Sequence, residues 1–166
     1  STERGLESIR ITNELLCQWE IGVKELMACA EKNTPVLFPP RIEPLQDVLA
    51  GYLACGTRGG SMDDASDDEN VDVFGMMLLT NRQGINGASA LLYPGLLKDL
   101  ADRYETDIYL IPSSSHEFLL LPSSEHMNLS ELTDMIQEIN RNHVHPEEVL
   151  SDHAYFYSKK EAKFYY

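Results

Sequence analysis

Cysteine is scarce in this sequence. The 166 residues contain only Cys17, Cys29 and Cys55, an odd number with no Cys-x-x-Cys pair. A structural zinc site or a disulfide framework needs closer or paired spacing. A chain of this length also folds without such staples, because it can bury roughly 70% of its unfolded surface. We therefore expect three free, buried thiols in a reducing cytosol.

Basic residues and long apolar runs are also scarce. The chain has 13 Lys and Arg against 27 Asp and Glu, which gives a formal net charge of −14. Phosphate backbones and anionic lipid surfaces require a concentrated basic patch, so we expect neither nucleic acid nor a membrane as a partner. No apolar run approaches the roughly 20 residues that span a bilayer, and the N-terminal residues lack a signal-peptide core. A cytoplasmic location is the expectation.

One segment has few apolar residues and no periodic pattern of a helix or strand. Residues 56–70 begin with a Gly- and Ser-containing spacer and continue into an acidic run with no nearby lysine. Like charge with few apolar side chains cannot offset the entropy of the chain. The sequence therefore predicts a helical lead-in at 1–55, a flexible acidic loop at 56–70 and an α+β sheet domain at 71–166. Together they form one structural domain.

The lead-in is predicted to be mostly helical. Residues 8–12 alternate polar and apolar, which favours a short strand. Asn13 is suited to cap a helix that runs to residue 20, and an apolar stripe predicts a second helix at 23–32. Pro44 is then expected to be the first residue of a helix that ends near residue 54.

The sheet domain shows the periodicities of strands and helices in turn. Strands are predicted at 71–80, 85–93, 107–111, 117–121, 153–157 and 162–166, and helices at 94–104 and from Asn128 or Ser130 to about residue 140. Short links between neighbouring strands favour antiparallel pairing. Helices over one face of such a sheet give a two-layer α+β domain, preceded by a helical N-terminal segment.

The candidate for catalysis is the run Ser113-Ser114-Ser115-His116-Glu117, in the turn between two predicted strands. Serine, histidine and a carboxylate are the ingredients of acyl transfer. However, adjacent strand residues point to opposite faces, and no Gly-x-Ser-x-Gly elbow is present. We favour a hydrogen-bonded turn in which His116 is structural. The alternative is a hydrolase that uses His116 with Ser113 or Ser114.

A second cluster carries groups that bind divalent metals. It consists of His143, His145, Asp152 and His153, with two glutamates between them. No second set of ligands pairs with this cluster, so solvent exposure and helix capping are favoured over a metal site. No cofactor is predicted either, since no Gly-rich phosphate loop is followed by Lys-Ser or Lys-Thr.

Two further groups of residues are candidates for binding a partner or ligand rather than for catalysis. The first lies around the turn after the strand predicted at 71–80, where binding residues often occur: Asn81, Arg82, Asn86 and Gly87. The second is a set of C-terminal tyrosines whose alternation gives a strand one aromatic face: Tyr155, Tyr157, Tyr165 and Tyr166. Such a face packs in the core or against a partner.

Five short motifs occur together in a fixed order. They are ITNELL at 11–16, EKNTP at 31–35 with LFP at 37–39, LLYP at 91–94, LIPSS at 110–114 with HE at 116–117, and PEEVLSD at 146–152. In these motifs the chain resembles an uncharacterised bacterial family known only as a domain of unknown function. Ser115 departs from the pattern, where an aliphatic residue is expected. The resemblance implies a C-terminal part of a longer bacterial cytoplasmic protein and supplies no catalytic residue.

These observations favour a non-enzymatic cytoplasmic module for interaction or regulation. Its partner is expected to be another protein or a second copy of the chain. The preference rests on the lack of a convergent catalytic set and on the apolar strands and tyrosines available for contacts.

Overall fold

The computed structural model describes residues 9–56, 75–123 and 128–165, with the backbone alone for 52–56 and 143. The elements are α1 Asn13–Trp19, α2 Val23–Leu37, β1 Pro40–Pro44, α3 Leu45–Gly56, β2 Met77–Asn81, a 3-10 helix Gly87–Leu92, α4 Leu96–Tyr104, β3 Ile108–Ser114, β4 Glu117–Pro122, α5 Leu129–His143, β5 Tyr155–Ser158 and β6 Lys163–Tyr165. Within these segments, no helix combines the length and the apolar character that crossing a bilayer requires.

Six strands form one antiparallel sheet in the order β1-β2-β4-β3-β5-β6. The α+β class, the antiparallel pairing and the helical N-terminal segment are confirmed. β1 was not expected as a strand, because Pro40 was interpreted as the end of the preceding helical region and Pro44 as the start of the next helix. Pro40 and Pro44 are compatible with pairing because β1 lies at the edge of the sheet, where a missing N–H costs no ladder bond.

Helices pack against both faces of the sheet, whereas the sequence suggested helices over one face. On one face of the sheet, which we call the front, the 3-10 helix and α4 pack against alternating strand residues that include Leu79, Leu110 and Leu120. These residues form the front core. On the opposite face, α5 packs against the strand residues that alternate with these, including Tyr109 and Ile111, and together they form the back core. Strands β3 and β4 lie in the middle of the sheet and are apolar on both faces, which is what two cores require.

Two predicted strands are wrong. Residues 9–12 have no strand structure, and Thr12 rather than Asn13 caps α1 by accepting a hydrogen bond from the N–H of Leu15. The segment expected as a strand at 85–93 instead contains the 3-10 helix. Asn86 has a left-handed backbone (φ 51°), so the chain after the turn does not return as a strand but continues into the 3-10 helix over the front core.

The remaining boundaries differ from expectation by a few residues. α3 starts at Leu45 rather than Pro44, and α4 starts at Leu96 rather than Pro94. Asn128 is the cap of α5, with its side chain accepting from the N–H of Ser130. The predicted acidic loop lies outside the described residues, apart from the backbone of Gly56.

Candidate functional site

The β3–β4 turn holds the residues that were considered for catalysis. Ser113 Oγ donates a hydrogen bond to Glu117 Oε1 at 3.2 Å. Ser114 Oγ accepts one from the backbone N–H of His116 at 3.1 Å. Both hydroxyls therefore bond within the turn itself. No hydrogen bond between a serine hydroxyl and the imidazole occurs in the described part of the chain.

The imidazole of His116 makes its contact outside the turn. Its Nδ1 accepts a hydrogen bond from the backbone N–H of Asn86 at 3.0 Å. A neutral imidazole has one acceptor nitrogen, so the tautomer that makes this bond carries its proton on Nε2. A general base needs a free lone pair directed at the nucleophile. In this arrangement Nε2 can donate a hydrogen bond but cannot take up a proton.

The same turn is tied to β2 and to the C-terminal region. Thr80 Oγ1 donates to the carbonyl oxygen of His116 at 2.8 Å, and the Thr80 side chain is buried. Ser115 donates its N–H to the carbonyl of Glu148 at 3.0 Å and accepts from the N–H of Ala88 at 3.4 Å. The turn is thus a junction that fixes three chain segments, which we call the polar junction (Thr80, Asn81, Asn86, Gly87 and residues 113–117).

Asn81 and Gly87 complete the polar junction. Asn81 is only 2% exposed, and its side chain donates to the carbonyl of Ile85 and accepts from the N–H of Gln83, at 2.8 and 3.0 Å. Gly87 lies so close to the sheet that a Cβ there would be 2.1 Å from Thr80 Oγ1 and 2.5 Å from the carbonyl oxygen of His116. Only glycine therefore allows the 3-10 helix to begin where it does.

An apolar groove of about 490 Å³ lies beside the polar junction. Its floor and walls are formed by large apolar and aromatic side chains, namely Leu91, Leu92, Phe118, Leu150, Tyr155 and Phe164. Its polar lining consists of Asn86, Ser89 and Ser115, which are at the side of the junction. None of the described lining residues is charged, although 24% of the chain is Asp, Glu, Lys or Arg. The groove is therefore an uncharged region of a strongly acidic protein.

A second apolar surface is the helical arm, which we define as residues 9–37. None of the 15 residues of α2 is buried. Val23, Met27 and Leu37 lie on one stripe of this helix, and all three are exposed, as is neighbouring Val36. The arm is followed directly by Phe38, whose carbonyl accepts a hydrogen bond from the hydroxyl of Tyr93 at 2.8 Å. Burial of this Tyr93 hydroxyl raises its pKa above the ordinary tyrosine value.

The metal candidates are distributed over a loop and a turn. Asp152 Oδ1 accepts from the side-chain amide of Asn140 at 2.8 Å, and His145 Nδ1 accepts from the N–H of Glu147 at 3.4 Å. His153 is exposed beside Asp152 in a small cleft, while the side chain of His143 lies outside the description. Among the described side chains, no three His, Cys, Asp or Glu groups are placed to hold a metal ion.

The cysteines and tyrosines differ in how well they match expectation. Cys17 and Cys29 are free thiols, but they are exposed, so the expected burial is wrong for both. They lie on the helical arm, where Val23, Met27 and Leu37 are also exposed. Tyr157 is buried in the front core, and Tyr155 stacks on Phe164 with ring centroids 5.1 Å apart. Cys55 and Tyr166 are outside the described side chains.

Over residues 1–159 the chain matches the model of a family described as "Family of unknown function (DUF5688)". The chain belongs to this family. The resemblance to a domain of unknown function is thereby confirmed, and DUF5688 brings no established activity or site residues. Among curated proteins and among solved structures, no significant match is found.

Sequence reasoning found only part of the polar junction. Asn81, Asn86 and Gly87 were singled out, with Arg82, because they surround the turn after a predicted strand, where binding residues often lie. Thr80 was missed, since a threonine inside an apolar strand carries no local mark of its partner 36 residues away. The groove was missed for the same reason. Leu92, Leu150 and Phe164 are distant in sequence and meet only in the fold.

Proposed function

We propose that this DUF5688 protein is a non-enzymatic interaction module of the bacterial cytoplasm, and that its helical arm binds a second copy of the chain. The observation on which the proposal depends is that α2 is a 15-residue helix without a single buried residue. Helices of this length draw most of their stability in proteins from packing an apolar face. A face that is apolar and unpacked is therefore a candidate interface.

The stripe on α2 has the shape that helix pairing requires. Val23, Met27 and Leu37 follow helical spacing and are 60%, 48% and 65% exposed. Two such stripes in contact would bury Val23, Met27 and Leu37 against their equivalents across a two-fold axis. Burial of large aliphatic side chains contributes roughly 1.5–3 kcal/mol each when it is complete.

Charge favours a second copy as the occupant. The arm carries three basic and four acidic side chains, a formal charge of −1, whereas the remainder of the chain carries −13. Two strongly acidic chains repel each other over most of their surfaces. Association through the arm places the nearly neutral parts together and keeps the acidic parts apart.

The geometry of the polar junction supports a role without catalysis. A hydrolase using His116 with Ser113 or Ser114 needs an imidazole that can accept the proton of the serine. Here Nδ1 of His116 accepts a hydrogen bond from the N–H of Asn86. The Ser113 hydroxyl donates to Glu117, and the Ser114 hydroxyl accepts from the N–H of His116. No specific observation favours the hydrolase.

Sedimentation equilibrium on the parent and on two matched variants tests the proposal. Met27→Glu and Ile139→Glu each add one negative charge on a helix, at side chains that are 48% and 42% exposed. We expect the parent to dimerise below about 100 μM, and Met27→Glu to weaken the dimer at least tenfold, about 1.4 kcal/mol. Ile139→Glu should leave the dimer unchanged.

Two outcomes would contradict this reasoning. A parent that stays monomeric at all accessible concentrations would remove the second copy as the occupant. A dimer that Ile139→Glu weakens as much as Met27→Glu would place the interface away from the arm. Far-ultraviolet circular dichroism on each variant measures the total helix content, and an unchanged signal shows that a loss of dimer is not caused by a loss of helix.

A further inference from the structure

We infer that the groove beside the polar junction binds a small uncharged molecule that has an apolar body and a hydrogen-bonding group at one end. This site is independent of the proposed dimer, because the helical arm contributes none of its described lining. The inference follows from the size of the groove, its lack of charge and the placement of two unengaged polar side chains.

The size of the groove suits a ligand larger than solvent. Its volume of about 490 Å³ lies within the range of roughly 300–1,000 Å³ in which proteins bind small organic molecules. Phe118 and Leu91 at its base are buried parts of the front core and so form a rigid floor. Phe164 and Tyr155 stack on each other at one wall and present aromatic surface. An aromatic or alicyclic body would replace water on all of these surfaces.

The lack of charge selects against ionised ligands. An ion that enters the groove loses hydration, and no charged side chain in the described lining compensates for that loss. An anion meets a further penalty from the net charge of −14. A neutral ligand avoids both costs.

Two polar side chains at one end can orient the ligand. The hydroxyls of Ser89 and Tyr155 are already used, since they donate to the carbonyl of Asn86 and to Ser151 Oγ, each at 2.8 Å. The amide of Asn86 and the hydroxyl of Ser115 have no hydrogen-bond partner among the described residues. Both can therefore donate to or accept from a ligand without breaking an internal bond.

The polar junction positions this pair. The backbone N–H of Asn86 is held by His116 Nδ1, and the backbone of Ser115 is held by Ala88 and Glu148. His116 is thus a positioning residue for the groove. Rigid backbones on both sides reduce the entropy lost when a ligand binds.

Two fluorescent probes with the same body test the charge selection. N-phenyl-1-naphthylamine is neutral, and 8-anilino-1-naphthalenesulfonate adds a sulfonate to the same anilinonaphthalene frame. We expect the neutral probe to bind the full chain with a Kd below about 100 μM, and the sulfonate to bind at least about tenfold more weakly. Equal affinity for the two probes, or no binding of the neutral one, would overturn the inference.

Matched variants then locate the bound probe. Leu150→Glu and Leu92→Glu place a carboxylate at groove side chains that are 46% and 74% exposed, so neither change disturbs the core. Each should weaken the neutral probe at least about tenfold, because the groove becomes charged. Ile139→Glu, on α5 over the opposite face of the sheet, should leave the affinity unchanged. If all three variants bind the neutral probe like the parent, the site is not this groove.

Discussion

Replacing Gly87 by alanine tests whether the polar junction is as tightly packed as its geometry indicates. The added Cβ would lie 2.1 Å from Thr80 Oγ1, 2.5 Å from the carbonyl oxygen of His116 and 2.7 Å from the backbone nitrogen of Asn81. Real Cβ atoms do not come within 3.0 Å of such neighbours. The 3-10 helix must therefore move away from β2, and the Thr80–His116 hydrogen bond of 2.8 Å must break or stretch.

The magnitude follows from which atoms would collide. Overpacking against movable side chains typically costs 1–3 kcal/mol. Two of the three close atoms here belong to backbone in the sheet and its turn, so we expect a loss of about 3 kcal/mol or more in the free energy of unfolding. For a chain of this length that is a fall in Tm of roughly 6–12 °C.

Urea denaturation of Gly87→Ala and Gly51→Ala measures the effect. Gly51 lies inside α3, and a Cβ there would meet nothing within 4 Å. The control should therefore gain about 0.5–1 kcal/mol, the usual advantage of alanine over glycine within a helix. Thr80→Ala in the Gly87→Ala background should restore stability only in part, because the two backbone contacts remain. A loss below about 1 kcal/mol for Gly87→Ala would refute the packing argument.

Three further predictions concern individual side chains. His116→Ala should lower the free energy of unfolding by only about 1 kcal/mol, because the hydrogen bond that it removes is solvent-accessible. A fluorophosphonate should label neither the parent nor the variant, and labelling that depends on His116 would support a hydrolase instead. Cys17 and Cys29 should both react with a thiol reagent in the native state, and reductant should not change Tm; protection of either thiol would contradict its exposure. The hydrogen bond from Lys98 Nζ lowers the pKa of the Asp102 carboxyl, so this carboxyl should titrate by NMR below a free aspartate, and Lys98→Met should raise its pKa. The linked stability is present above the ordinary aspartate pKa and is lost as pH falls through the lowered value; an unchanged titration in Lys98→Met would exclude this cause.

The strands and helices that the sequence predicted correctly are those with a strong local pattern of apolar and turn residues. β3 and β4 are apolar runs bounded by turn residues, and α5 has a clean apolar stripe with a capping asparagine. The segment 85–93 was misassigned because the turn residues at 81–84 predict a hairpin with a returning strand, and turn chemistry does not distinguish that strand from a 3-10 helix packed on the core. β1 was missed because a strand between two prolines is tolerated only at an edge, and edge position is not a local property.

The sequence by itself determined the class of this protein and its acidic character. Apolar periodicity and turn residues are local, so they predicted most of the helices and the central strands, and the five ordered motifs already indicated the family. Only the tertiary structure decided where the polar junction and the groove lie. The hydrogen bond between Thr80 and His116, the approach of Gly87 to the carbonyl of His116 and the uncharged groove all join residues that are distant in the chain. Their contacts depend on the packing of several elements at once, which no single stretch of sequence encodes.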